Sequence, residues 1–188
     1  MKKAVFAFAL TLLFYLLQVC LMQHLKIFGV TGNLLAVNLA ILTVSYGKKY
    51  TFVFSCITGI LVEAMTSSVG GLLVVLYPAF GMLFAQVFSD MSDEKRERLL
   101  LRQTNLTNKR KGDMNPYYRI PLNAICISGA IEIICLFYVN VSGTDVSVNI
   151  YIRAAMSIVY TGLLAVLLMW PVRKICGVHS ARAEIKTR

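Results

Sequence analysis

Leu34-Leu35-Ala36-Val37-Asn38-Leu39-Ala40-Ile41-Leu42-Thr43-Val44-Ser45-Tyr46-Gly47-Lys48-Lys49-Tyr50-Thr51-Phe52-Val53-Phe54 is the stretch from which the fold can be read. Two apolar runs, Leu34 to Tyr46 and Tyr50 to Met65, are separated only by a glycine and two lysines. Two adjacent ammonium groups cannot rest at mid-bilayer, so they pin the turn to a membrane face and make the flanking runs a helical hairpin. The first run falls short of the roughly 20 residues of a straight span. It is expected to extend outward through Asn33 and Gly32, and to be tilted, matched by a thinned bilayer or packed among neighbours. Tyr46 and Tyr50 beside the lysines suit the headgroup level, where amphipathic rings collect.

Four more apolar segments flank this hairpin: Ala4 to Met22, Leu72 to Phe88, Ile120 to Val139 and Ile150 to Val172. Helices are predicted over about 4–22, 33–46, 50–66, 71–89, 120–139 and 150–172, with one long connector over 90–119. Helices rather than a barrel are expected, because a barrel needs alternating strands of roughly 10 residues and these runs are long and continuously apolar. With Met1 on the cytoplasmic side, only Lys26 and Arg153 of the 19 Lys and Arg residues lie outside. Positive charge retained in inner loops sets orientation. The expectation is an all-α integral membrane protein, a single membrane domain over 1–188, with six transmembrane helices and both termini cytoplasmic.

The composition agrees. Of 188 residues 57% are hydrophobic and only 15% charged, which leaves nothing for a soluble domain once six spans are drawn. The net charge of +10 sits beside the spans, where it meets the anionic headgroups of membrane lipids. Nucleic acid is not an expected partner, since no basic module stands outside the membrane segments. Cys20, Cys56, Cys126, Cys135 and Cys176 form no Cys-x-x-Cys pair, and four lie in apolar segments as small hydrophobic residues. Met1-Lys2-Lys3 before an apolar run resembles a signal peptide, but Gln18 to Gln23 offers no small-residue processing site, so a retained helix is expected.

Little in the chain suggests chemistry. His24 and His179 stand apart and belong to no hydrolase or zinc motif, and no glycine-rich phosphate loop occurs. No enzyme activity, metal or cofactor is expected. Ser92 to Leu106 has helix-forming composition and Thr107 to Tyr118 should be irregular, together a solvated connector held near anionic lipid. Pro78 should kink the fourth helix, with Gly81 following within a turn, and Gly70 and Gly71 in the turn before it permit positive φ or close helix approach.

The groups that need an explanation are the intramembrane charges Glu63, Glu132 and Arg153, with Asn38 a neutral fourth. All three charges fall in the outer half. For Glu63 and Arg153 the alternatives are snorkelling to the interface or pairing. Glu132 lies about two turns below the outer end of its span, roughly 10 Å deep at the helical rise, so it must be paired, protonated or turned to a polar crevice. Arg153 is expected to neutralise Glu132 or Glu63 between helices.

Residues 32–88 contain a recognisable series: Asn33-Leu34-Leu35, then Gly47-Lys48-Lys49, then Ser55-Cys56-Ile57-Thr58-Gly59-Ile60-Leu61-Val62-Glu63, then Gly71 and, six residues on, Tyr77. The series resembles the MreD family of bacterial rod-shape membrane proteins. That family opens its second helix with Pro-Asp or Pro-Asn before leucines, turns on a basic residue and glycine, and continues Gly-Phe-x-x-Gly-Leu-x-x-Asp with a glycine eight residues later. Here Gly32 replaces the proline, Ser55 the first glycine and Glu63 the aspartate. The resemblance implies a non-enzymatic scaffold of the bacterial cytoplasmic (inner) membrane. It would pair with MreC and, indirectly, with MreB, a RodA-type glycosyltransferase and a class B penicillin-binding protein in peptidoglycan synthesis. It also implies Asn33, Gly59, Glu63, Gly70, Gly71 and Tyr77 as partner or helix-packing residues. The family is similar in fold to the substrate-binding components of energy-coupling-factor vitamin transporters, which supplies the rival reading. An Ala-x-x-x-Ala docking motif usual in those components is not found among Ala4, Ala7 and Ala9.

Overall fold

The computed structural model describes residues 2–26, 29–66, 70–88, 116–143 and 147–175. Over these residues the chain forms six helices joined by turns: α1 (Lys2–Cys20), α2 (Leu34–Tyr46), α3 (Lys48–Thr66), α4 (Leu72–Phe88), α5 (Pro116–Val141) and α6 (Val148–Ile175). Of these, α5 and α6 are long and apolar enough to cross a membrane, and α1, α2 and α4 contain shorter apolar helices. Most of the 90–119 connector, including the helix expected over Ser92 to Leu106, lies outside the described residues, as do positions 67–69 of the turn before α4.

The shortest helix is the centre of the bundle. All of α2 from Leu34 to Val44 is buried, and α2 touches each of the other five described helices. Of the three ways to accommodate its 13 residues, packing among neighbours is the one found. The sequence carried the reason: α2 is apolar on all sides, and a helix without a polar face belongs inside.

Both ends of α2 differ slightly from expectation. Asn33 is its N-cap rather than its first residue, its side-chain oxygen accepting from the Ala36 N–H at 3.0 Å. This satisfies one of the donors that every helix start leaves open. At the other end Gly47 alone makes the turn, with φ +79 and its N–H donating to the Thr43 carbonyl at 3.2 Å. Such a φ is open to glycine without penalty. Lys48 and Lys49, expected in the turn, form the exposed first residues of α3. Likewise α5 begins at Pro116, whose fixed φ suits a first helical position. It therefore takes in Arg119, expected in the connector, and buries it to 8% exposure.

Helices α3 and α4 pack through small residues. The buried positions of α3 are Thr51, Phe54, Ser55, Thr58 and Gly59, and those of α4 are Leu73, Tyr77, Gly81, Ala85 and Phe88. Each set recurs at three or four residues, the spacing of one helix face. A Cβ on Gly81 would stand 2.9 Å from that of Ser55. The fourth helix runs unbroken through Pro78.

The bundle is polar in places where a soluble protein is apolar, and the reverse. Thr11, Asn38, Thr58, Asn123 and Thr161 are fully buried, while Val5, Val75, Ile133, Phe137, Leu167 and Trp170 are each more than 60% exposed. Large apolar side chains turned outward on α1, α4, α5 and α6 suit solvation by lipid.

Candidate functional site

Three loops and helix ends meet at one end of the bundle. Gln18, near the close of α1, donates from its amide to the Gly32 carbonyl at 3.1 Å and accepts from the Leu34 N–H at 2.7 Å. It thereby fixes the approach to α2. Asn33 then reaches two further helices: its N–H donates to the Thr161 hydroxyl of α6 at 3.0 Å and its amide to the Tyr77 hydroxyl of α4 at 2.5 Å. Tyr77 is fully buried. Two residues that the resemblance singled out separately are thus in contact.

Glu63 caps α4. One carboxylate oxygen accepts from the Gly71 N–H at 2.8 Å and the other from the Leu73 N–H at 3.2 Å. A carboxylate placed there meets the open N–H groups and the positive end of the helix dipole. Gly70 and Gly71 have φ +59 and +89, and a Cβ on either would meet nothing within 4 Å. Backbone conformation, not close helix approach, accounts for these glycines. Gly59 is the opposite case. A Cβ there would stand 3.0 Å from the Leu73 carbonyl oxygen and 3.1 Å from the Val74 Cα, so Gly59 is a packing residue turned inward against α4.

Beside this corner opens a crevice of about 520 Å³, walled by the 29–33 loop and by α3, α4, α5 and α6. Glu132 of α5 and Arg153 of α6 both line it, with Asn33, Tyr77 and Ser157. Glu132 thus faces the crevice. One of its oxygens accepts from the Ser157 hydroxyl at 3.1 Å, a hydroxyl that also lies 3.4 Å from the Thr31 carbonyl. Arg153 is exposed at the mouth. A Cβ on Gly29 would come within 2.8 Å of its Nη2.

The expected neutralisation of Glu132 or Glu63 by Arg153 is not found: among the described residues no ion pair joins them. Glu63 is satisfied by backbone N–H groups and Glu132 by a hydroxyl. Local donors of this kind stabilise a carboxylate without the cost of drying a guanidinium. Asn38 is held within the core, its amide donating to the Thr11 hydroxyl at 3.0 Å. Among the described residues no three His, Cys, Asp or Glu side chains group as a metal site.

Sequence reasoning missed Gln18, Ser157 and Thr161. A signal existed for two of them, since Arg153, Ser157 and Thr161 recur every four residues and so share one face of α6. Gln18 stood out only as a lone amide in an apolar run. No family model, curated protein or solved structure matches the chain.

Proposed function

We propose that the chain is a six-span protein of the bacterial cytoplasmic membrane, with both termini inside, and a non-enzymatic scaffold of the rod-shape elongation complex. One observation carries the reading: the acid and the glycine eight residues after it, which the resemblance to the MreD family sets apart, are joined by the hydrogen bond between Glu63 and Gly71. The two residues form one corner of the structure, the carboxylate capping α4. For the topology the support is the lysine pair exposed at the α2–α3 turn and the ring of outward apolar side chains. Tyr118, Tyr138, Tyr151 and Trp170, exposed near the ends of α5 and α6, suit two interfacial belts.

Labelling tests the topology. On a Cys-free background, an impermeant thiol reagent outside the cell should modify Ser68→Cys or Asp145→Cys, and not Lys49→Cys, Asn108→Cys or Ser180→Cys. Reaction at position 49 from outside would dismiss the α2–α3 hairpin.

Depletion tests the function. Rod-shaped cells losing this protein should widen and round, and its purification from membranes should bring MreC with it. The crevice favours a second reading, the substrate-binding component of an energy-coupling-factor vitamin transporter, because Glu132 and Arg153 line a cavity of ligand size. Recovery of an ATPase pair, or rescue of depleted cells by a vitamin while width stays normal, would establish that reading and end the scaffold proposal.

A further inference from the structure

Three features of the crevice remain unexplained by a scaffold role. Glu132 uses one carboxylate oxygen for Ser157, and among the described residues nothing engages the other. Arg153 lines the same crevice, with no carboxylate within ion-pair distance among the described residues. Arg153 also borders a second, apolar hollow of about 240 Å³, formed with Val30, Ile152 and Met156.

We propose that this crevice binds a zwitterionic phospholipid headgroup, its primary ammonium on Glu132 and its phosphate on Arg153, with an acyl chain running into the hollow that Arg153 borders. The argument is one of charge. Glu132 is half-buried with one oxygen unengaged, Arg153 stands exposed at the mouth with no carboxylate in reach among the described residues, and so neither charge is matched by the other. A purely anionic ligand relieves only Arg153 and a purely cationic one only Glu132. A zwitterion relieves both. Placement agrees: Arg153 and Ser157 lie one turn apart on the same face of α6, roughly 6 Å along the axis, and Ser157 holds Glu132, so both charged residues belong to one stretch of the crevice wall. The guanidinium is a planar fork suited to phosphate oxygens. An ammonium with N–H donors can hydrogen-bond the open carboxylate oxygen, which a quaternary ammonium cannot. The apolar hollow, which shares Val30 and Arg153 with the crevice, gives the chain of an amphiphile a place that a free headgroup would leave empty. The inference does not depend on the scaffold reading.

The test uses the full protein in detergent, offered phosphatidylethanolamine, phosphatidylcholine or phosphatidylglycerol in turn, with retained lipid counted by native mass spectrometry. Phosphatidylethanolamine should be retained over the other two by about tenfold, a difference of one hydrogen-bonded charge contact. Glu132→Gln, which keeps the acceptor for Ser157, should abolish the preference over phosphatidylglycerol. Arg153→Met should lower retention of all three. Soluble glycerophosphoethanolamine competing as well as the whole lipid would assign the site to a free zwitterion and overturn the lipid. Equal retention of the three lipids by the unaltered protein overturns the proposal without recourse to any variant.

Discussion

Gly59→Leu is expected to destabilise the protein by roughly 3 kcal/mol or more, the upper range for overpacking a close contact. The neighbours are what make the effect large. Even the first added carbon would stand 3.0 Å from the Leu73 carbonyl oxygen and 3.1 Å from the Val74 Cα, which are backbone atoms and cannot rotate aside. The whole of α4 must move, and with it the Glu63 cap at Gly71 and Leu73. Gly59→Ala should therefore already cost something, and Gly59→Leu much more. Ala64→Leu is the control, since Ala64 is exposed on the same helix. Heating in detergent followed by size exclusion reads the result. Equal loss temperatures for Gly59→Leu and Ala64→Leu would mean that α3 and α4 are not in the close contact described.

This pair of helices was also the part of the site most legible in the sequence. Gly59, Glu63 and Gly71 lie within thirteen positions, so the helical repeat and one short turn are enough to bring them together. The distant contacts were not legible. Asn33 meets Thr161 across 128 positions and Glu132 meets Ser157 across 25. Periodicity tells which side chains share a face of one helix, but not which helix that face meets. The expected pairing of Arg153 failed for a related reason. Counting charges leaves out hydroxyls and the open N–H groups at a helix start, and these are the donors that Glu132 and Glu63 found. The burial of α2 had a readable cause, its apolar character all round, yet only the packed bundle shows that its neighbours reach every side.

Asn33→Ala is expected to cost about 2 to 4 kcal/mol, combining a lost helix cap with a buried hydroxyl left without its partner. Asn33 does both jobs with one side chain, its oxygen on the Ala36 N–H and its nitrogen on the Tyr77 hydroxyl. The two contributions can be separated. Tyr77→Phe removes only the hydroxyl, so Asn33→Ala made in that background should cost less than in the unaltered protein, by about 1 kcal/mol of coupling. Asn33→Asp should retain most of the stability, because a carboxylate can cap α2 in the same way and accept the Tyr77 proton instead of donating to its oxygen. Aspartate is also one of the two residues that the resembling family places at this position. Strict additivity of Asn33→Ala and Tyr77→Phe would show that the contact between α2 and α4 contributes nothing. Asn33→Asp as damaging as Asn33→Ala would show that the amide nitrogen, and not the cap, is what position 33 requires.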